Sequence, residues 1–332
     1  MNSYDVIVVG GGPAGSSCAA KLVAGGAKVV VLDRAEFPRL KLCAGWVTPD
    51  VISDLNLDIN DYPHRFNTFD HLAMHIKGFS FNVKTTQHSI RRFEFDDFLL
   101  RRSGAEVITH TVKKVDSING DYVVDGGFRA EFIVGAGGTS CPVYRNLFRD
   151  GSPRAKDLQV AALEYEFPYQ WEDKNCHLWF LDDGLPGYSW YVPKQNGFLN
   201  CGIGGYAERM RKRNMDLKSQ WNRLRDKLSK MDLVRNVDMT PTGYSYYLRG
   251  NVNTVRIGNA FITGDSAGLA TLDMAEGIGP AVASGQLAAD SILFGDEYTL
   301  RGVSAFSPIK PWISRLLDKF VIWKESRKDR TS

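Results

Sequence analysis

The sequence predicts an α/β fold, α+β overall, in which a parallel strand–helix–strand domain is interrupted by an antiparallel sheet. Three stretches carry that expectation: "DVIVVGGGPAGSSCAAKL" at residues 5–22, "AKVVVLDR" at 27–34, and an aromatic-rich run from about 158 to 206. In the first, the apolar run Val6–Val9 meets Gly10, Gly12 and Gly15, and small residues follow. That pattern is a strand, a tight turn and a helix, with the turn open enough for a pyrophosphate to touch backbone. The second stretch is a strand ending at Asp33, parallel to the first because a helix crosses between them. The third alternates "VAALEYEF", "CHLWFLDD", "YSWYVP" and "FLNCGIGGY" with Gly and Pro turns, as an antiparallel sheet does.

The remaining elements follow in order. Between residues 34 and 90 come "FPRLKLCAGWVTPD" and alternating stretches such as "HLAMHIKGFSFNVK". A helix is expected to start after Asp96 in "RRFEFDDFLLRRSGAEV" and to end at Gly104. "EVITHTV" and "EFIVGAGG" read as strands returning to the first sheet. Leu217, Trp221, Leu224 and Leu228 mark an amphipathic helix. "NAFITGDSAG" is a buried strand, and "GIGPAVASGQLAADSIL" is a helix with a small-residue face. The expected domains are 1–68 with 90–155 and 250–295, then 69–89 with 156–249, then a helical tail at 296–332.

At 332 residues, 43% hydrophobic and 24% charged, the chain is long enough for a large core and two interleaved domains. A net charge of +3 gives no sign of a nucleic-acid partner. Cys18, Cys43, Cys141, Cys176 and Cys201 show no CxxC spacing, which argues for free thiols and not for disulfides or zinc. His71 and His75 have no third ligand in view, so no metal site is expected. The first strand, from about Tyr4, leaves no room for a signal peptide, and no apolar stretch reaches the ~18 residues of a membrane span. A cytoplasmic location is expected.

The chemistry lies in the turns. Asp33 falls close to the ~20-residue interval expected of an acid that accepts from ribose hydroxyls, which disfavours a 2′-phosphate but does not separate NAD from FAD. The far end of the chain separates them. Asp265 follows an apolar strand in "FITGDSAG", where a carboxylate can hold a ribityl hydroxyl. Gly277, Ile278 and Gly279 open a helix whose free N–H groups suit the electron-rich N1/O2 edge of a flavin. The expected cofactor is therefore FAD, held without a covalent link, in a Rossmann-like domain.

"GGGPAG", "LKLCAGWVTPD", "RRFEFDDFLL", "GAGGTSCPVYR", "YSWYVP" with "GIGGY", and "GDSAGLATLDMAEGIGPA" run in this order over roughly residues 4–290. In this the chain resembles the geranylgeranyl reductase family of flavoproteins, within the p-hydroxybenzoate hydroxylase-like superfamily. The resemblance implies a glutathione-reductase-type FAD/NAD(P)-binding fold. It implies that Gly10, Gly12, Pro13, Ala14 and Gly15 meet the pyrophosphate, and that Asp33 and Arg34 meet the ribose end. Cys43, Ala44 and Gly45 would lie beside the flavin, Arg92 would contact FAD, Val112 on the following strand would meet the adenine, and Asp265, Gly277, Ile278 and Gly279 would complete the site. Gly137 stands where superfamily hydroxylases carry an acid, which argues against hydroxylase-style use of NADPH there.

The expected activity is reduction of C=C bonds in an apolar, prenyl-type substrate by hydride from reduced flavin. Cys43, Tyr188 and water are the candidate proton donors. Tyr188 and Trp190 share one strand face and Tyr191 takes the other; the three are candidate substrate contacts. Rival readings are an oxygen-using monooxygenase and a flavoprotein that matures a partner protein. Ferredoxin, another flavoprotein, a quinol or NAD(P)H could supply electrons. "GIGGYA" at 202–207 imitates a second dinucleotide turn but lacks the strand and acid that should follow. In the tail, Ile313, Leu316, Leu317, Phe320 and Trp323 form a helical stripe edged by basic residues, which could dock on its own domain or touch an anionic membrane peripherally.

Overall fold

The computed structural model describes residues 1–252 and 254–307; the C-terminal stripe expected above lies outside the described residues. In chain order the elements begin β1 (Asn2–Val9), α1 (Pro13–Ala24), β2 (Val29–Asp33), β3 (Trp46–Val47), α2 (Pro49–Asp54), β4 (Asn67–Ile76) and β5 (Phe79–Ser89). Then come α3 (Arg92–Arg102), β6 (Glu106–Thr109), β7 (Val115–Ile118), β8 (Asp121–Val124) and β9 (Phe128–Gly135). β10 (Gln159–Pro168), β11 (Cys176–Phe180), β12 (Gly187–Lys194) and β13 (Phe198–Tyr206) are followed by α4 (Ala207–Lys212) and α5 (Leu217–Lys230). β14 (Thr242–Tyr247), β15 (Arg256–Ile257), β16 (Ala260–Ile262) and α6 (Ile278–Phe294) close the described chain.

The first sheet runs β15-β16-β9-β1-β2-β6, parallel throughout except for the edge hairpin β15–β16. Its central strands are apolar on both faces because both are covered, as a parallel sheet requires; Val6, Ile7, Val8, Val30, Val31 and Leu32 are fully buried. The hairpin β7–β8 attaches to β9. The second sheet runs β14-β10-β13-β12-β11-β4-β5-β3. It is antiparallel apart from the pair β4–β11, which is parallel because a long crossover, not a hairpin, separates them. Trp46 and Val47, next to the CAG stretch, pair with β5 and so tie the cofactor-side loop to this second sheet.

The helix in "RRFEFDDFLLRR" begins at Arg92, not after Asp96 as the sequence suggested. Arg92 and Asp96 sit one helical turn apart and form a two-bond ion pair at 2.6 and 2.8 Å, so the acid is an interior partner and not a cap. Phe95, Leu99 and Leu100 fill the buried face. Gly104, at φ +68°, follows the helix end as expected. The small-residue face of α6 packs on α1 at backbone distance: a Cβ on Gly285 would lie 2.2 Å from the Ala14 carbonyl oxygen. That contact sets the first turn of α1 against the middle of α6, and the N-termini of both helices open on the same place.

Candidate active site

That place is a cleft of about 890 Å³ between the two sheets. The first sheet presents the turn after β1 to it. Gly10 adopts φ +112°, and a Cβ there would strike the Ala136 carbonyl oxygen at 2.5 Å. Gly15 lies beneath the turn, where a Cβ would meet the Gly10 oxygen at 1.8 Å, so it shapes the turn without lining the cleft. Gly12, Pro13 and Ala14 face the cleft, and no side chain caps the helix they open. Asp33 braces the turn from β2, accepting from the Gly11 amide at 2.8 Å and from the Ala35 amide at 3.0 Å.

Asp265 comes from the short turn after β16, and Gly277 and Ile278 open α6, again without a side-chain cap. Gly279 turns away: a Cβ there would lie 3.3 Å from Val51 of α2, and the residue does not line the cleft. Val112 lines it, but from the loop after β6 and not from a strand. The reason is local: Asp125 accepts from the amides of Lys113 and Lys114, which draws the chain off the sheet. Arg34 and Arg92 also line the cleft. Burial alone would lower the Arg92 guanidinium, but the Asp96 carboxylate more than reverses this and raises it.

Arg39 was not singled out in the sequence. It sits in the cleft wall 3.4 Å from Asp96 and 3.9 Å from Asp33, with its guanidinium 4.6 Å from the Phe37 ring centre. Among the described residues, two uncapped helix N-termini, an acid at the end of β2 and the cations Arg34, Arg39 and Arg92 thus converge on one elongated cleft. That donor set fits a dinucleotide with a pyrophosphate in the middle, and the second helix N-terminus fits an electron-rich ring edge at one end.

The second sheet supplies an aromatic wall. Tyr188 and Trp190 of β12 line the cleft with Tyr244 and Tyr246 of β14. Tyr191 is not part of it: the side chain lies on the opposite face, packed with Trp179, Trp221 and Leu224, and its hydroxyl donates to the Asp173 carbonyl at 3.0 Å. The glycines of "GIGGYA" explain themselves here. Gly202 lies opposite Trp190, and a Cβ on it would be 2.1 Å from the indole ring, so these glycines make room for the aromatic wall. A narrow apolar seam of about 30 Å³ continues behind Tyr188 and Trp190, lined by Val160, Phe180, Leu248 and Leu272.

Cys43, Ala44 and Gly45 line the cleft between the two walls and rest on a buried polar floor. Lys194 of β12 is wholly buried and donates to the carbonyls of Ala44 at 2.7 Å and Ile90 at 2.5 Å. Glu164 of β10, 1% exposed, accepts from the Cys43 amide and, at 3.3 Å, from the Tyr244 hydroxyl. Asn200 donates to the Cys43 carbonyl at 3.4 Å and accepts from the Trp190 indole at 2.7 Å. Burial pushes the Glu164 carboxyl up to about 7, against the opposing pull of Lys194, the Cys43 amide and Lys41. Burial likewise pushes Glu276, which lines the cleft just before Gly277, up to about 7.

Residues 8–72 match the family model of the NAD(P)-binding Rossmann-like domain. A menaquinone reductase of Mycolicibacterium smegmatis is 28% identical over 350 residues, covering 92% of this chain and 79% of its own. A digeranylgeranylglycerophospholipid reductase of Methanosphaera stadtmanae is 26% identical, covering 88% and 76% respectively. Among solved structures, a geranylgeranyl bacteriochlorophyll reductase-like protein of Thermoplasma acidophilum matches with a TM-score of 0.75 and 19% identity, over 97% of this chain and 83% of that one. This last likeness is one of fold. Fold and cleft together define the class, an FAD-dependent oxidoreductase built on a Rossmann-like domain. Within that class the chain is similar to the menaquinone and digeranylgeranylglycerophospholipid reductases just described.

Proposed function

We propose that the protein reduces carbon–carbon double bonds in the prenyl chain of an apolar lipid or quinone. The observation that carries this reading is the arrangement of the cleft. One wall is polar and built for a dinucleotide; the other, opposite it, is the wall of Tyr188, Trp190, Tyr244 and Tyr246 with an apolar seam behind. The relatives whose names give menaquinone and digeranylgeranyl lipids support the same substrate class. Bound FAD in its reduced form supplies hydride.

The chain's own residues do the rest. The turn at Gly12–Ala14, the α6 N-terminus and Arg39 bind the anionic parts of the cofactor, and the braced Cys43–Gly45 segment positions the floor between cofactor and substrate. The aromatic wall excludes water and holds the prenyl chain by burial, at roughly 0.8 kcal/mol per CH₂. The test is a single anaerobic turnover. Chemically reduced protein is mixed with menaquinone or with a digeranylgeranyl glycerophospholipid, and the lipid is analysed by mass spectrometry. Gain of one H₂ per reduced bond is expected, located in the prenyl chain by fragmentation after the quinone ring has been reoxidised. No such gain, together with oxygen-dependent addition of an oxygen atom to an aromatic compound, would sink the reading in favour of a monooxygenase.

A further inference from the structure

Adding hydride to one alkene carbon leaves its neighbour needing a proton, and the cleft offers hydroxyl and thiol groups near the Cys43 segment, Tyr188, Cys43 and Tyr244 among them. The Tyr188 hydroxyl donates at 2.5 Å to the Met274 carbonyl, an acceptor that has no proton to give back. The Cys43 sulfur accepts from the Gly45 amide at 3.3 Å and is hydrogen-bonded by Arg92, so it holds the turn in shape. Tyr244 differs from both. Its ring lines the cleft while its hydroxyl reaches back to Glu164, a carboxyl buried in the sheet.

We propose that Tyr244 is the catalytic acid of the cleft and that Glu164, a positioning residue behind it, restores its proton. The proposal rests on the prenyl-reduction reading above. The step balances as follows. Hydride forms the first new C–H bond, and the π electron pair of the alkene takes the Tyr244 hydroxyl proton to form the second. The Glu164 proton passes to the phenol oxygen, and the resulting carboxylate is reprotonated from solvent. The oxygens of Glu164 have separate tasks: Oε1 is tied to the Cys43 amide, which leaves Oε2, the one facing Tyr244, as the atom that carries the proton.

The charges around the pair suit this role. Glu164 faces Lys194 from β12, Asn200 from β13, Tyr244 from β14 and Lys41 with the Cys43 amide from the loop. Lys194 spends its bonds on the Ala44 and Ile90 carbonyls and sits 3.6 Å from Glu166, so it is not a dedicated partner of Glu164. With burial dominating, the carboxyl titrates at about 7 and is available in both forms near neutrality. Burial and then the Glu164 charge raise the Tyr244 phenol, with Tyr246, Cys43 and Tyr188 adding to the effect, so the phenol keeps its proton between turnovers. The Lys41 ammonium lies 5.0 Å over the Tyr244 ring, where it would steady a phenolate formed in passing.

The test uses the full-length FAD-loaded protein, chemically reduced, with menaquinone in detergent micelles as the probe. The wild-type single-turnover rate should fall as pH rises through about 7. Tyr244→Phe should lower that rate by ~10²-fold with little change in substrate affinity, and Glu164→Gln should flatten the pH profile. Infrared spectra of the oxidised protein give a readout free of turnover. The wild-type minus Glu164→Gln difference should contain a protonated-carboxyl band below neutrality that vanishes above it; Glu276 is present in both and cancels. Wild-type rates and profiles in both variants, or no difference band at low pH, would overturn the proposal. Absence of any H₂ gain by the wild type is a separate result: it removes the proposed reaction, and the pair's role with it.

Discussion

Asp265 tests the cofactor wall one side chain at a time. It reaches the cleft from the turn after β16, beside the start of α6. Asp265→Ala should weaken FAD binding by about 1–3 kcal/mol, the cost of leaving a buried polar partner unmet, as read from fluorescence titration of the apoprotein. Unchanged affinity would remove Asp265 from the site. At this scale the sequence was informative wherever a motif dictates backbone, as at Gly10, Gly12 and Ala14, and less so where a side chain works alone. Arg39 belongs to no recognisable turn. Glu164 and Lys194 were legible only through strand parity: Glu164 shares its face with Val160 and Ala162, and Lys194 shares its face with Trp190 and Val192. A charge on an apolar face was the available signal for both.

Between elements, the decisive contact is α1 against α6. Gly285→Ala would place a methyl 2.2 Å from the Ala14 oxygen, and neither backbone can yield without parting α1 from α6. The expected outcome is a loss of about 1–3 kcal/mol of stability in denaturant melts, with faster release of flavin than in the wild type. Wild-type retention of flavin would show that the spacing is not what holds the cofactor. The strand–turn–helix at the N-terminus, α5 and α6 were readable because each has a strong period or a complete turn. The hairpin β7–β8 and the start of α3 were not. β7 and β8 are four residues each, and the α3 start is decided by the Arg92–Asp96 pair.

Across the whole molecule, Glu164 and Glu276 make stability depend on pH. Both carboxyls are raised to about 7 by burial, above the 4.5 of a free glutamate. A raised folded-state value favours the proton, so this contribution is complete below about 4.5 and is lost as pH climbs through about 7. Through these two groups the apoprotein should therefore lose stability between these limits, on the order of 3 kcal/mol for each. Relative to the double variant Glu164→Gln/Glu276→Gln, the wild type should lose stability as pH rises over that window in urea melts at a series of pH values; His75 and His88, lowered by burial, are common to both and cancel in the comparison. An equal slope in the variant would show that both groups are ionised throughout.

The two helix starts that meet in the cleft are separated by most of the chain, Pro13 at one end and Ile278 at the other. On a ribosome, the Gly12–Ala14 turn emerges early, long before α6 is there to complete the pocket. No nascent chain that stops short of α6 can keep the cofactor, however well its earlier strands have paired. Flavin capture thus waits for α6, and when it comes it draws the folded population toward completion by mass action.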